Sequence, residues 1–300
     1  MTQKSRFLSP ATLADLELPN IKRAQRMLVE RFLPHERLQT VIDYIDFLFH
    51  RPQQTRAAGL VVAGEPGSGK TMLAKSLHRR YKSEPASDIS PATVPLLVIS
   101  MTGAREAKTL FNRMLGALGV PDALSYLGSD RERMVLKVCR ATRVKMLVVD
   151  EIQDILTSTA RQQRIALDTI KLLMNELQIP IIALGTSEAP DAMKLDKHLN
   201  ARFSYRTLPV WKSDQFLSNF LDALEGSLPL REPSYLSDPV TREALVRLSG
   251  GILDKIVKMV CYAGAHALEA GEECITVPWL ERGAIQPPSW AVSSAEALAA

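Results

Sequence analysis

Cysteine is scarce in this 300-residue chain. The three present, Cys139, Cys261 and Cys274, are too few and too scattered for a disulfide framework, and none forms a C-x-x-C pair. Aromatic residues make up only 6%, which argues against a surface built to stack single-stranded bases. No apolar run approaches the roughly 18 residues needed to cross a bilayer. The opening MTQKSRFLSPATLADLELP lacks the apolar stretch of a signal peptide. The five histidines (His35, His50, His78, His198, His266) lack metal-ligand spacing and read as structural or surface residues. Neither sign of charge dominates. A net charge of +4 permits an acidic partner such as nucleic acid without demanding one. What remains is an ordinary globular composition, 46% hydrophobic, with a cytoplasmic location as the expectation.

The pattern along the chain has three parts. Up to about residue 56 it reads as helices. Asn20 is a candidate cap for a helix carrying Ile21, Ala24, Met27, Leu28 and Phe32, and a second helix carries Leu38, Val41, Ile42, Ile45, Leu48 and Phe49. From residue 57 to 210 short apolar runs alternate with amphipathic stretches. Strands are expected at Gly59–Ala63, Leu96–Ile99, Met146–Val149, Ile181–Leu184 and Tyr205–Pro209, with helices between them. That alternation predicts an α/β fold: a parallel sheet flanked by helices on both faces. From residue 211 to 283 the strands stop and a small C-terminal helical subdomain follows. Residues 284–300 read as a mobile tail.

Gly64, Glu65, Pro66, Gly67, Ser68, Gly69, Lys70 and Thr71 fit G-x-x-x-x-G-K-[ST] at every fixed position, after a strand and before a helix. Glycines let backbone N–H groups converge on phosphate oxygens, and the helix N-terminus adds positive potential. Lys70 brings a charge to the β- and γ-phosphates of ATP. The Thr71 hydroxyl is a hard oxygen suited to Mg²⁺. Lys70 is expected in a solvent-reached loop, outside the core. About eighty residues on, the apolar run Met146–Val149 ends in Asp150-Glu151, and ligands of open α/β sheets bind at such carboxyl ends. Asp150 would hold Mg²⁺ directly or through water. Glu151 would orient and deprotonate the attacking water. The next strand ends in Gly185-Thr186-Ser187, where a hydroxyl, Thr186 first, can meet the γ-phosphate or the water. Arg202, or Arg206 four residues on, can reach a neighbouring subunit's nucleotide.

This order of motifs resembles the AAA+ P-loop ATPases, with the helical subdomain as their lid. Within them the chain looks like the TniB branch of transposition ATPases and the related TnsC proteins. The resemblance rests on Val94-Pro-Leu-Leu-Val98, Met146 to Glu151, Glu176-Leu-Gln-Ile-Pro180, Gly185-Thr186, Ala201-Arg202-Phe203, Leu208-Pro-Val-Trp211, Ser227 to Pro233 and Ser249 to Asp254. It implies a magnesium-dependent ATPase that assembles as a ring or filament on double-stranded DNA and hands a target site to a DDE transposase, with a TniQ-like targeting protein as a further partner. It also implies Arg202 acting in trans. A helicase or clamp loader shares the same core chemistry, and an adaptor that ATP merely locks is a third reading. The stretch after Gly250-Gly251 holds Lys255 and Lys258 where many AAA+ lids have an arginine, so slow turnover is expected. The resemblance suggests DNA-backbone contacts at Arg105 and Lys108, with Arg113 nearby. Arg131, Arg133, Lys137, Arg140, Arg143 and Lys145 form a second basic stretch. Neither contains a base-reading motif, so any contact would be with phosphates.

Overall fold

A computed structural model describes residues 8–87, 90–104, 106–120, 128–288 and 290. In chain order the elements begin with α1 (Pro10–Asp15), α2 (Asn20–Met27), α3 (Glu36–His50), β1 (Gly59–Gly64), α4 (Lys70–Arg80) and β2 (Leu96–Ser100). Then come α5 (Ala107–Ala117), α6 (Gly128–Ala141), β3 (Met146–Asp150), α7 (Ala160–Leu177) and β4 (Ile181–Gly185). Two short helices, α8 (Ala189–Lys194) and α9 (Lys197–Asn200), precede β5 (Phe203–Leu208). Four helices end the chain: α10 (Gln215–Glu225), α11 (Pro239–Ser249), α12 (Leu253–Glu269) and α13 (Val277–Ile285).

The chain divides into two compact units: Leu38–Leu208, and the residues up to Arg37 joined with those from Pro209 onward. The first holds a five-stranded parallel sheet of order β2-β3-β4-β1-β5. The four strands β1 to β4 are almost wholly apolar, because both of their faces are covered, whereas the edge strand β5 carries Ser204, Arg206 and Thr207. Val61, Ala63, Leu97, Ile99, Leu147, Val149 and Ala183 share one core with buried residues of α5, α6 and α7. The alternate residues Leu60, Val62, Val148, Ile182 and Leu184 are equally buried and face the other way. β5 starts at Phe203, two residues earlier than its polar pattern predicts. Phe203 pairs with Gly59, and a Cβ at Gly59 would lie 2.4 Å from the Phe203 ring. The two positions are therefore matched by size. β1 connects to β2 across β4 and β3, so the carboxyl end of β4 lies between those of β1 and β3.

The segment 1–56, expected as one helical piece, is divided at Arg37. α2 packs in the second unit, where Ala24 and Met27 join Trp211, Leu217, Phe220, Leu221 and Val260. Asn20 does not cap α2 but is its first residue, after Pro19. Its side chain is used elsewhere, donating to the Leu268 carbonyl at 3.2 Å and accepting from Arg23 Nη2 at 2.7 Å. The break Pro229–Pro233 leads into a loop held by buried Glu225, which accepts the backbone N–H groups of Ser234 and Leu236 at 2.7 and 2.9 Å. α13 reaches Ile285 and Trp290 packs against the unit's core, where a mobile tail from residue 284 is expected. Residues 291–300 lie outside the described residues. Among the described residues no helix is long and apolar enough to cross a membrane.

This second unit also holds a buried ion pair. Arg23 is fully buried, and its two terminal nitrogens grip Glu273 Oε2 and Oε1 at 2.7 and 2.6 Å. The guanidinium holds the Glu273 carboxyl down to about 2, against the opposing effect of burial. Glu273→Ala leaves a buried, uncompensated cation, so urea unfolding at pH 7 should show a loss of about 3–5 kcal/mol. The folded pKa lies below the ordinary value of 4.5. The contribution is therefore complete above pH 4.5 and is lost as pH falls toward 2. The gap between parent and Glu273→Gln should close over that interval, and a gap constant with pH would refute the assignment.

Candidate nucleotide site

The loop after β1 is shaped by its glycines. Gly67 and Gly69 have φ of 79° and 97°, which L side chains adopt only under strain. The Ser68 N–H closes a turn on the Glu65 carbonyl at 3.0 Å. Gly69 is the N-cap of α4 and offers no side-chain bond, so the N–H groups of the first turn have no side-chain acceptor at the cap. Anions bind readily at helix ends of this kind. Lys70 departs from expectation. It is buried, 7% exposed, and opens α4. Its ammonium donates to the Gly64 carbonyl at 2.7 Å, the Glu65 carbonyl at 2.9 Å and Ser68 Oγ at 3.2 Å. An ammonium has three protons, and the loop's own oxygens account for all of them. Burial lowers its pKa, while Glu151, Asp150 and Glu65 pull it back up. Thr71 is exposed beside it.

Asp150 and Glu151 follow the buried run of β3. Burial raises the Asp150 pKa, opposed by a bond that its Oδ1 accepts from the Glu151 N–H at 3.0 Å and by the charge of Lys70. Lys70, Asp150 and Glu151 thus form one set of interacting charges at the carboxyl end of the sheet. Glu151 sits in the left-handed region (φ 57°, ψ 43°) and leads into a short 3-10 turn, Ile152–Thr157. Its Oε2 accepts from Gln153 Nε2 at 2.5 Å. Gln153 Oε1 in turn accepts the Thr186 N–H at 3.1 Å. The Thr186 hydroxyl accepts the Glu188 N–H at 3.4 Å and so shapes its own turn. Sequence reasoning missed Gln153, because glutamine at that spacing carries no chemical signal until β3 and β4 are known to be neighbours.

Arg202 is not part of this cluster. It precedes β5, and its carbonyl accepts the N–H of Gly59, the first residue of β1. The phosphate loop lies at the other end of β1, roughly 17 Å away at about 3.3 Å per residue. Its Nη1 donates to Asn175 Oδ1 on α7 at 2.7 Å. Arg206 is exposed, with its guanidinium 5.4 Å from the centre of the Tyr44 ring.

Residues 23–213 match the family model for the Bacterial TniB protein. This chain belongs to the TniB family. None of the curated proteins compared with it matches. Solved structures resemble it in fold. The Aeropyrum pernix ORC2 protein, in ADPNP and ADP complexes, is 17% identical with a TM-score of 0.62, over 88% of this chain and 72% of that one. The Aeropyrum pernix ORC1 protein in complex with DNA is 15% identical, also at 0.62, over 87% and 68%. Drosophila ORC bound to DNA is 18% identical at 0.56, over 94% and 68%. The TniB-family chain therefore has the AAA+ ATPase fold: a parallel sheet flanked by helices, followed by C-terminal helices.

Several basic residues of this TniB-family chain already have partners. Lys108 is exposed and ion-paired with Glu106 at 2.8 Å. Arg113 turns inward and donates to the carbonyls of Ser100 and Thr102 past the end of β2. Arg105 lies outside the described residues. In the second stretch Arg140 pairs with Glu176 at 3.2 Å, and the Lys145 ammonium lies 5.7 Å from the centre of the Phe49 ring. Lys258 of α12 pairs with Asp254 at 2.8 Å, and Lys255 is exposed.

Proposed function

We propose that this TniB-family protein is a magnesium-dependent ATPase that assembles as a homo-oligomer on double-stranded DNA and recruits or activates a DDE transposase, together with a TniQ-like targeting protein. The observation that carries the reading is the meeting of the Gly64–Thr71 loop, the Asp150-Glu151 pair and Thr186 at three adjacent strand ends, in a chain of the TniB family. The loop amides hold the triphosphate, and Lys70 joins them by exchanging the Gly64 and Glu65 carbonyls for phosphate oxygens. Mg²⁺ fits Thr71 and Asp150, both hard oxygen donors. Such an ion takes one or two protein oxygens and completes its shell with water and phosphate. When bound, the ion neutralises charge on the phosphate oxygens. Glu151 takes a proton from the attacking water. The water oxygen bonds to the γ-phosphorus, and the bond to the bridging oxygen breaks, its electron pair leaving with ADP. Thr186 orients the water or the γ-phosphate. Arg202 acts on a neighbouring subunit's nucleotide.

DNA binding in this reading rests on phosphate contacts by Arg105 and Lys108. The solved ORC1 and ORC structures with DNA give the fold a precedent, and the chain's net charge is positive. The exposed Lys108–Glu106 pair is worth little, so exchanging the carboxylate for a phosphate costs little. Anisotropy titrations with unrelated duplexes, at several salt concentrations and with or without ATP, test this. The parent should bind only with ATP, with affinity falling steeply as salt rises. Replacing Arg105 and Lys108 by Ala should weaken binding equally on all sequences and flatten the salt slope by roughly one unit per lost contact. A double variant with parent affinity and slope would exclude this surface. A parent that ignores ATP would overturn the proposed function.

A further inference from the structure

We propose that Gln153 is the positioning residue for Glu151, fixing the orientation of its carboxylate and tying it to the end of β4. The proposal rests on the reading of Glu151 as the base. Gln153 is 9% exposed, and both ends of its amide are used. The orientation of that amide is dictated chemically. An ionised carboxylate only accepts and a backbone N–H only donates, so Nε2 must face Glu151 and Oε1 must face Thr186. The observed bonds, 2.5 Å to Glu151 Oε2 and 3.1 Å from the Thr186 N–H, satisfy both ends. Gly185 makes room for it, since a Cβ there would come within 2.3 Å of Gln153 Oε1. The bridge thus joins two adjacent strands, β3 and β4, at the end where the phosphate loop lies. Any shift at Thr186 and any turn of the Glu151 carboxylate are linked through this one amide.

A buried glutamine that merely satisfies its neighbours would look similar in its contacts but not in its kinetics. Its loss would lower stability, and it would not act through Glu151. The test compares parent, Gln153→Ala, Glu151→Gln and the double variant, as the full chain with ATP. It measures ATP affinity by titration, steady-state kcat and KM, and single-turnover hydrolysis. Removing a group that orients a metal ligand typically costs about 10- to 100-fold, and a loss of that order is expected for the orientation of Glu151. Gln153→Ala should lose about that factor in kcat, with KM and ATP affinity within about twofold of the parent. In the Glu151→Gln background the same substitution should cost nothing further, because the group it positions is already inert. Gln153→Glu, nearly isosteric but unable to donate when ionised, should show the same selective loss if the alanine variant fails to fold. An equal fold-loss in both backgrounds would overturn the proposal. So would parent kcat in Gln153→Ala alongside a slow Glu151→Gln, which leaves the base reading standing. A Glu151→Gln protein hydrolysing at the parent rate would remove the base reading and the positioning role together.

Discussion

Glu151→Gln is expected to keep ATP bound while hydrolysis falls by about 10²- to 10⁴-fold, the usual worth of a positioned general base. The substitution keeps the size of the side chain and its capacity to accept the Gln153 Nε2 bond. What it removes is basicity. Asp150 is no substitute, because its Oδ1 already accepts the Glu151 N–H and its charge is coupled to Lys70. Nothing in the loop from Gly64 to Thr71 changes, so nucleotide affinity should stay within about a factor of two or three of the parent. The protein should therefore accumulate in its ATP-bound form, and on DNA its oligomers should persist after the parent's have dispersed. Phosphate release against time, beside an ATP titration on the same preparation, measures both quantities. Hydrolysis at the parent rate would take Glu151 out of the chemistry.

The parts of the site legible in the sequence are those where a local pattern has one physical explanation. Two positive-φ glycines, a lysine and a hydroxyl between a strand and a helix describe a phosphate loop without reference to the rest of the chain. Four apolar residues ending in two carboxylates place Asp150 and Glu151 at a strand's end for the same reason. The elements not anticipated are α1, α8, α9 and the 3-10 turn after Glu151. All are of six residues or fewer, too short for a helical period to emerge. The features that stayed hidden depend on which strands and helices become neighbours. Gln153 acquires meaning only because β3 lies beside β4. Asn20 looks like a cap until α12 supplies the Leu268 carbonyl. Arg113 reads as part of a basic stretch beside Arg105 and Lys108 until the end of β2 takes its guanidinium. Lys70 looks solvent-reached in the sequence for a related reason: spacing fixes its backbone but not the rotamer that folds it onto the Gly64 and Glu65 carbonyls.

Arg202→Ala should leave each subunit able to bind ATP and lower turnover by about 10³- to 10⁵-fold, the range found for arginines that offset transition-state charge in phosphoryl transfer. Arg202 stands at the amino end of β5 and the phosphate loop at the carboxyl end of β1, on adjacent parallel strands. A side chain cannot bridge a strand's length, so Arg202 cannot serve its own loop. It is nonetheless held in place. Asn175 accepts from its Nη1 at 2.7 Å. One turn earlier on α7, Lys171 pairs at 2.5 Å with Asp196, which caps α9 just before it through the His198 and Leu199 N–H groups. A residue braced this way, away from its own loop, suits a task on a neighbouring subunit. Mixing supplies the decisive result. Arg202→Ala subunits retain the loop but lack the arginine, and Lys70→Ala subunits retain the arginine but lack the loop lysine. Each alone should be inactive. Together they form some interfaces in which an intact loop faces an intact Arg202, so activity should return in part and rise with the fraction of mixed contacts. If both proteins fold and co-assemble yet no activity returns, Arg202 has no role across the interface.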